Sequence, residues 1–362
     1  MKIVYVSCHS VLEYDELRMF DDLGIEIFSL GTYLNPNEEW HAKSRPKIKL
    51  NNWNHANYES YIKYFDHNKN PDCRLNISKE FIDMFDVIYF QGWTEPITIN
   101  WENIKHKPII WRTIGQSSNH TENLMKPYIN NGNIKIIRYS PFERKIPNYC
   151  GEDILIRFSK RSSEWKNWIG EIKTPATVAQ TFKIREMASC YSFFIETSKI
   201  LACNLYGIGN ENTEYYVERP KDLETLYDIY RKHAVYYSFG TKPASYTLNF
   251  IEAWMTGIPL ISVGSQNGNF PNVEQLYEVP FLIENGISGF ISDDPIEFAS
   301  IAKQLINDDT YKNNFEHIFS KDEIYIEPDE ILYFCFSFAR NIAKKDKLIL
   351  IIGLADARLR PL

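Results

Sequence analysis

Apolar runs with strand character alternate with helix-spaced stretches from the first residues of the chain. "KIVYVS" (2–7) is β-rich, "LEYDELRMFDDLG" (12–24) carries helical spacing with a Gly stop, and "IEIFSLG" (25–31) is β-rich again. Strand, helix, strand in that order predicts a βαβ unit, and such units build parallel sheets. "FDVIYFQG" (85–92), "PIIWRTIG" (108–115) and "IKIIRYS" (134–140) add continuous apolar runs of the kind buried on both faces. Each runs into a Gly, Ser or Thr loop where a ligand can approach.

Residues 143–173 break the rhythm with a proline, glycines and mixed charges, which predicts an interdomain segment. A second series follows. Strands are predicted at 176–182, 202–209, 214–218, 234–240 and 289–294, and helices at 185–200, 221–233 and 295–308. The division predicted is 1–165 for an N-terminal domain, 166–327 for a C-terminal domain, and 328–362 for a late helix packing back on the first domain, plus a tail. The fold class expected is α/β, two Rossmann-like parallel-sheet domains facing a cleft.

Composition narrows the function classes. At 362 residues, 44% hydrophobic and 24% charged, the chain can bury two full cores. Its formal net charge of −7 makes the surface as a whole a poor partner for nucleic-acid backbones. The small basic cluster Arg157, Lys160, Arg161 reads as a solvated loop. Six cysteines (Cys8, Cys73, Cys150, Cys190, Cys203, Cys335) form no CxxC pair and no zinc spacing, which points to reduced, buried thiols and a cytoplasmic setting. The N-terminus reads as a first strand and not a signal peptide, and no apolar run approaches the roughly 18 residues of a membrane span.

The densest stretch is "SFGTKPASYTLNFIEAWMTGIPLISVG" (238–264). Its apolar-periodic part predicts a helix starting near Tyr246 with Ser245 as N-cap, stopped by Gly257 and followed by a strand. The unpaired N–H groups and positive end of such a helix suit a diphosphate. Glu252, about two turns in, can face a ribose, whose paired hydroxyls both donate to one carboxylate.

Five segments in order, "TFKIR", "LYGIG", the run from "YYVE" to "YYSFG", "IEAWMTGIPLIS" and "ENGISGFISDD" with its following helix, resemble the nucleotide-binding domain of GT-B glycosyltransferases of the large retaining, nucleotide-sugar-dependent group. The resemblance covers roughly 176–308, with a weaker echo at 1–31. It implies a metal-independent transfer of a sugar from a nucleotide-diphosphate sugar, UDP-linked by first expectation, with a retaining outcome and no separate cofactor. It assigns Glu252 the ribose role and Lys183 and Arg185 the diphosphate, whose charge cationic side chains must neutralise where no metal does so. Ser245, Tyr246, Thr247 and Leu248 replace the family's Gly-Phe-Gly-Leu at the nucleotide, Gly207 (with Gly209) offers a close backbone approach, and Arg219 lies in the region that meets the nucleobase. Where the family carries a first glutamate, eight positions before Glu252, this chain has Ala244, so the sugar end of the site is altered.

On the acceptor side the strand-end loops offer His9, Ser10, Gln116 and His120, and Trp40, Trp53, Trp93, Trp101 and Trp111 divide between core packing and stacking on sugars. The acceptor itself stays open: a glycan, a protein, a small or lipid-linked molecule, or a modified nucleobase. Two other readings also stay open, a nucleotide-sugar epimerase or phosphorylase on the same fold, and a non-catalytic nucleotide-sugar or glycan-binding protein. Glu252→Gln is expected to weaken nucleotide binding by roughly 1–3 kcal/mol with little effect on folding.

Overall fold

In the computed structural model the chain is described at residues 1–31, 45, 64, 72–115, 117–131, 133–158, 160–161 and 163–307. Among these residues there are two six-stranded sheets, and every strand pairing in both is parallel. The first sheet contains β1 (Lys2–Ser7), β2 (Glu26–Ser29), β3 (Val87–Gln91), β4 (Ile109–Arg112), β5 (Ile134–Arg138) and β6 (Ile154–Leu155), in the order β2-β1-β3-β4-β5-β6. The second contains β7 (Ala176–Val178), β8 (Asn204–Tyr206), β9 (Tyr216–Glu218), β10 (Tyr236–Ser238), β11 (Leu260–Ser262) and β12 (Phe290–Ile291), in the order β12-β11-β10-β7-β8-β9.

The inner strands β1, β3, β4, β5, β10 and β11 are largely buried on both faces, which is why their sequences are continuous apolar runs without alternation. Ile3, Val4 and Tyr5 of β1 are fully buried, with Val4 in register with Phe28 on one side and Ile88 on the other. The longer helices are α1 (Ser10–Asp22), α2 (Asn119–Ile129), α3 (Tyr191–Ile200), α4 (Leu223–Lys232), α5 (Leu248–Thr256) and α6 (Pro295–Asn307). In both sheets the strand order reverses direction, at β1/β3 and at β7/β10, and such reversal points open a crevice beyond the carboxyl ends of the strands.

The expected strands are present; β1 spans its whole run and the others are shorter than theirs. Several helix starts differ from expectation: α1 begins at Ser10 and not at 12, α4 at Leu223 and not at 221, and two others have a physical reason on view. Residues 182–188 form consecutive turns, so α3 begins at Tyr191 and not at 185. The turns are held by the Arg185 N–H donating to the Thr181 carbonyl (3.0 Å) and the Ser189 hydroxyl donating to the Phe182 carbonyl (2.9 Å). Likewise α5 begins at Leu248 with Thr247 as N-cap, two residues later than expected.

The segment joining the sheets is part of the core. Phe158, Trp165 and Trp168 are buried in the cluster that fills the C-terminal lobe, which also takes in Leu12 and Tyr139 from the N-terminal lobe. Tyr139, Phe158 and Tyr246 form an aromatic triad across the lobes, with ring centroids 4.9–5.5 Å apart. The predicted late helix and tail, 328–362, lie outside the described residues, as do Trp40, Trp53 and Cys335. Cys190 and Cys203 are buried as expected; Cys8 is instead exposed, and Cys73 and Cys150 are half-buried.

Candidate active site

A cavity of about 590 Å³ opens between the two lobes, a size typical of ligand sites. The chain just beyond β1 (His9) and β4 (Ile114, Gly115) faces it from the N-terminal lobe. The ends of β7 (Val178, Ala179), β8 (Gly207) and β10 (Gly240) face it from the other. The carboxyl ends of both sheets therefore converge on one space. Gly207 is required there: at φ +123° a Cβ would lie 2.0 Å from the Ala179 carbonyl oxygen.

Of the two cations expected at the diphosphate, the structure brings only Arg185 to the cavity. Lys183 is exposed and outside the lining, because the turns at 182–188 replace the helix that was to present both. Arg219, just past β9, also lines the cavity. The side chains of Arg185 and Arg219 make no hydrogen bond or ion pair among the described residues.

At the start of α5, Thr247 and Leu248 line the cavity, and Thr247 caps the helix without a side-chain hydrogen bond. Ser245, expected as the cap, is fully buried outside the lining, and its N–H donates to the Tyr139 hydroxyl at 2.8 Å. The Tyr246 hydroxyl donates to the Tyr139 carbonyl at 2.9 Å and accepts from the Phe158 N–H at 3.2 Å. Ser245 and Tyr246 thus join the lobes, which is what holds them out of the helix. Ala244 lines the cavity beside Gly115, where a Cβ would come 3.4 Å from its methyl group.

Glu252 is not a surface acid: it is 3% exposed and lines the cavity. Its Oε1 accepts from Lys160 Nζ at 2.7 Å and from Arg45 Nη2 at 3.0 Å, and its Oε2 accepts from the Tyr230 hydroxyl at 3.2 Å. Lys160 also donates to Asp15 of α1 at 2.7 Å, and burial raises the Asp15 carboxyl above its ordinary value against the pull of Lys160 and Arg45. Two members of the basic cluster expected to be solvated are therefore structural, while Arg161 pairs with Asp22 at the surface. Lys160 is buried between two carboxylates, and Arg157 pairs at 2.5 Å with Glu278, itself 3% exposed. Nothing in the sequence pattern marked Arg45, Lys160 or Tyr230 as partners of Glu252, because each comes from a different segment.

On the acceptor side, His9 lines the cavity and caps α1, its Nδ1 accepting from the Leu12 N–H at 3.3 Å. Ser10 is buried inside the first turn of α1 and is not part of the lining. His120 is exposed on α2, also outside the lining, and Gln116 lies outside the described residues. Trp93 stacks with the Arg74 guanidinium 4.7 Å from its ring centroid, whereas Trp111 is core. Among the described residues no group of three His, Cys, Asp or Glu side chains is arranged for a metal ion, and no helix is long and apolar enough to cross a membrane.

No protein-family model matches the chain, and no curated protein matches it in sequence. Solved structures do. A glycosyltransferase from Rickettsia africae ESF-5 is 13% identical over 95% of this chain and 99% of its own, with a TM-score of 0.61. Anabaena HepE in complex with UDP is 12% identical over 93% of this chain and 100% of its own, with a TM-score of 0.58. Its complex with UDP-glucose gives 10% identity, 95% and 99% coverage and a TM-score of 0.58. At such identities the likeness is one of fold, and the fold of this chain is that of the GT-B glycosyltransferases.

Proposed function

We propose that the chain is a glycosyltransferase that moves a sugar from a nucleotide-diphosphate sugar, held by the C-terminal lobe, to an acceptor held against the N-terminal lobe. One observation carries this reading: Arg185 and Arg219, without ion-pair partners among the described residues, face a cavity at the carboxyl ends of both sheets in a chain of net charge −7. Two such guanidiniums call for a ligand with about two negative charges. A nucleoside diphosphate fits, and its departure is the step in which those charges grow and fixed cations lower the barrier. The nine-residue helix α5 adds the N–H groups of its first turn and its positive end, with Thr247 and Leu248 at the cavity wall.

The Tyr139–Phe158–Tyr246 triad joins the lobes at the cavity, where Phe158 and Tyr246 supply apolar wall. HepE, of the same fold, is known in complex with UDP and with UDP-glucose, which makes UDP-sugars the first donors to test. The metal-independent, retaining course implied by the sequence resemblance belongs to this proposal.

A second reading, a nucleotide-sugar-binding protein without turnover, is favoured by Ala244, a methyl group at the cavity wall where the resembling enzymes carry a carboxylate. A thermal-shift screen of UDP-, dTDP-, GDP- and ADP-sugars, followed by assay of nucleoside diphosphate release with and without an acceptor panel, decides. The transferase reading requires a selective rise in melting temperature by mass action and acceptor-dependent release. Binding with no release under any condition supports the second reading, and no binding by any donor refutes both.

A further inference from the structure

We infer that Arg45, a residue no sequence pattern marks, is a donor-positioning residue whose guanidinium meets the diphosphate in the cavity it shares with Arg185 and Arg219, and that Glu252 serves to hold it there. The inference rests on the donor reading above. Arg45 is nearly fully buried, its side chain 4% exposed, yet it lines the cavity. A buried guanidinium at a ligand cavity costs desolvation unless an anion meets it. Among the described residues Glu252 is such an anion, at 3.0 Å from Nη2.

Glu252 does not depend on Arg45 alone. The same oxygen accepts from Lys160 at 2.7 Å, and Tyr230 donates to the other. A carboxylate so anchored stays fixed while Arg45 turns toward an incoming ligand. A guanidinium has five N–H donors in a planar fork, so one edge can remain on Glu252 while another meets a phosphate oxygen. Among the described lining residues three are arginines (Arg45, Arg185, Arg219) and one is a carboxylate, Glu252, so these residues carry an excess of positive charge. On this inference the carboxylate expected to take the ribose acts instead through the cation it holds.

The test is calorimetric titration of wild type, Arg45→Gln and Arg45→Lys with UDP, dTDP, GDP and ADP, and then with the parent nucleoside of the tightest binder. Arg45→Gln should weaken the diphosphate at least tenfold and leave the nucleoside within twofold, and Arg45→Lys should recover part of the loss. If Arg45→Gln does not fold, Arg45→Lys carries the test alone: without the fork it should weaken the diphosphate severalfold and spare the nucleoside. An equal loss for diphosphate and nucleoside would make Arg45 a structural counter-ion of Glu252 and overturn the inference, as would an unchanged diphosphate affinity. Wild type binding none of the four diphosphates overturns the donor reading itself, and this inference with it.

Discussion

Glu252 takes its character from residues that are remote in sequence. On α5 it would be an ordinary helix glutamate; burial at 3% exposure with Lys160, Arg45 and Tyr230 on its oxygens makes it the centre of a charge cluster. Removing one member of a buried ion pair typically costs about 3–5 kcal/mol, because the partner is left uncompensated. Glu252→Gln is therefore expected to lose stability, by roughly 3 kcal/mol, since the amide still accepts a hydrogen bond and Asp15 still compensates Lys160. This revises the expectation from sequence that folding would be little affected. Urea denaturation of the variant measures it, and a loss below about 1 kcal/mol would mean that the cluster contributes little to the folded state.

At the scale of elements, the tight passage from β8 is the clearest constraint. Gly207 combines φ +123° with an Ala179 carbonyl 2.0 Å from where a Cβ would stand. Left-handed backbone costs an L-residue about 1–2 kcal/mol and forced overpacking about 1–3 kcal/mol. Gly207→Ala should thus destabilise the protein by roughly 2–5 kcal/mol. An unchanged denaturation midpoint would contradict the packing described here. This glycine was legible in the sequence as a close approach, and so were the inner strands, whose apolar runs reflect burial on both faces. The starts of α3 and α5 were not. Both are decided by hydrogen bonds that local periodicity does not contain: the turn bonds around Arg185 in one case, and those of Ser245 and Tyr246 to Tyr139, more than a hundred residues away, in the other. The site divides in the same way. Arg185, Arg219, Thr247, Leu248 and Glu252, singled out through the family resemblance, all line the cavity, whereas Arg45 and Lys160 acquire their positions only when the lobes meet.

At the scale of the whole molecule, polar bonds as well as apolar packing join the lobes. The Ser140 hydroxyl and Arg157 both donate to Glu278, and α1 is tied to the joining segment through Arg18 and Glu164, onto which Tyr227 of α4 also donates. Glu164 gives this junction a pH signature. Burial would raise its carboxyl, but the hydrogen bonds and charge of Arg18 and the Tyr227 hydroxyl outweigh burial and hold it below its ordinary value of 4.5. A carboxylate held low in the folded state contributes stability that is fully present above its unfolded value and disappears as the pH falls through the folded one. Glu164→Gln should therefore be less stable than wild type at pH 7, and the gap between them should close as the pH drops below about 4.5. Urea midpoints at pH 7, 4.5 and 3.5 follow that gap. A gap that stays constant across this range would mean that Glu164 holds α1 by packing alone, and a wild type no more stable than the variant at pH 7 would take the Arg18 bridge out of the junction altogether.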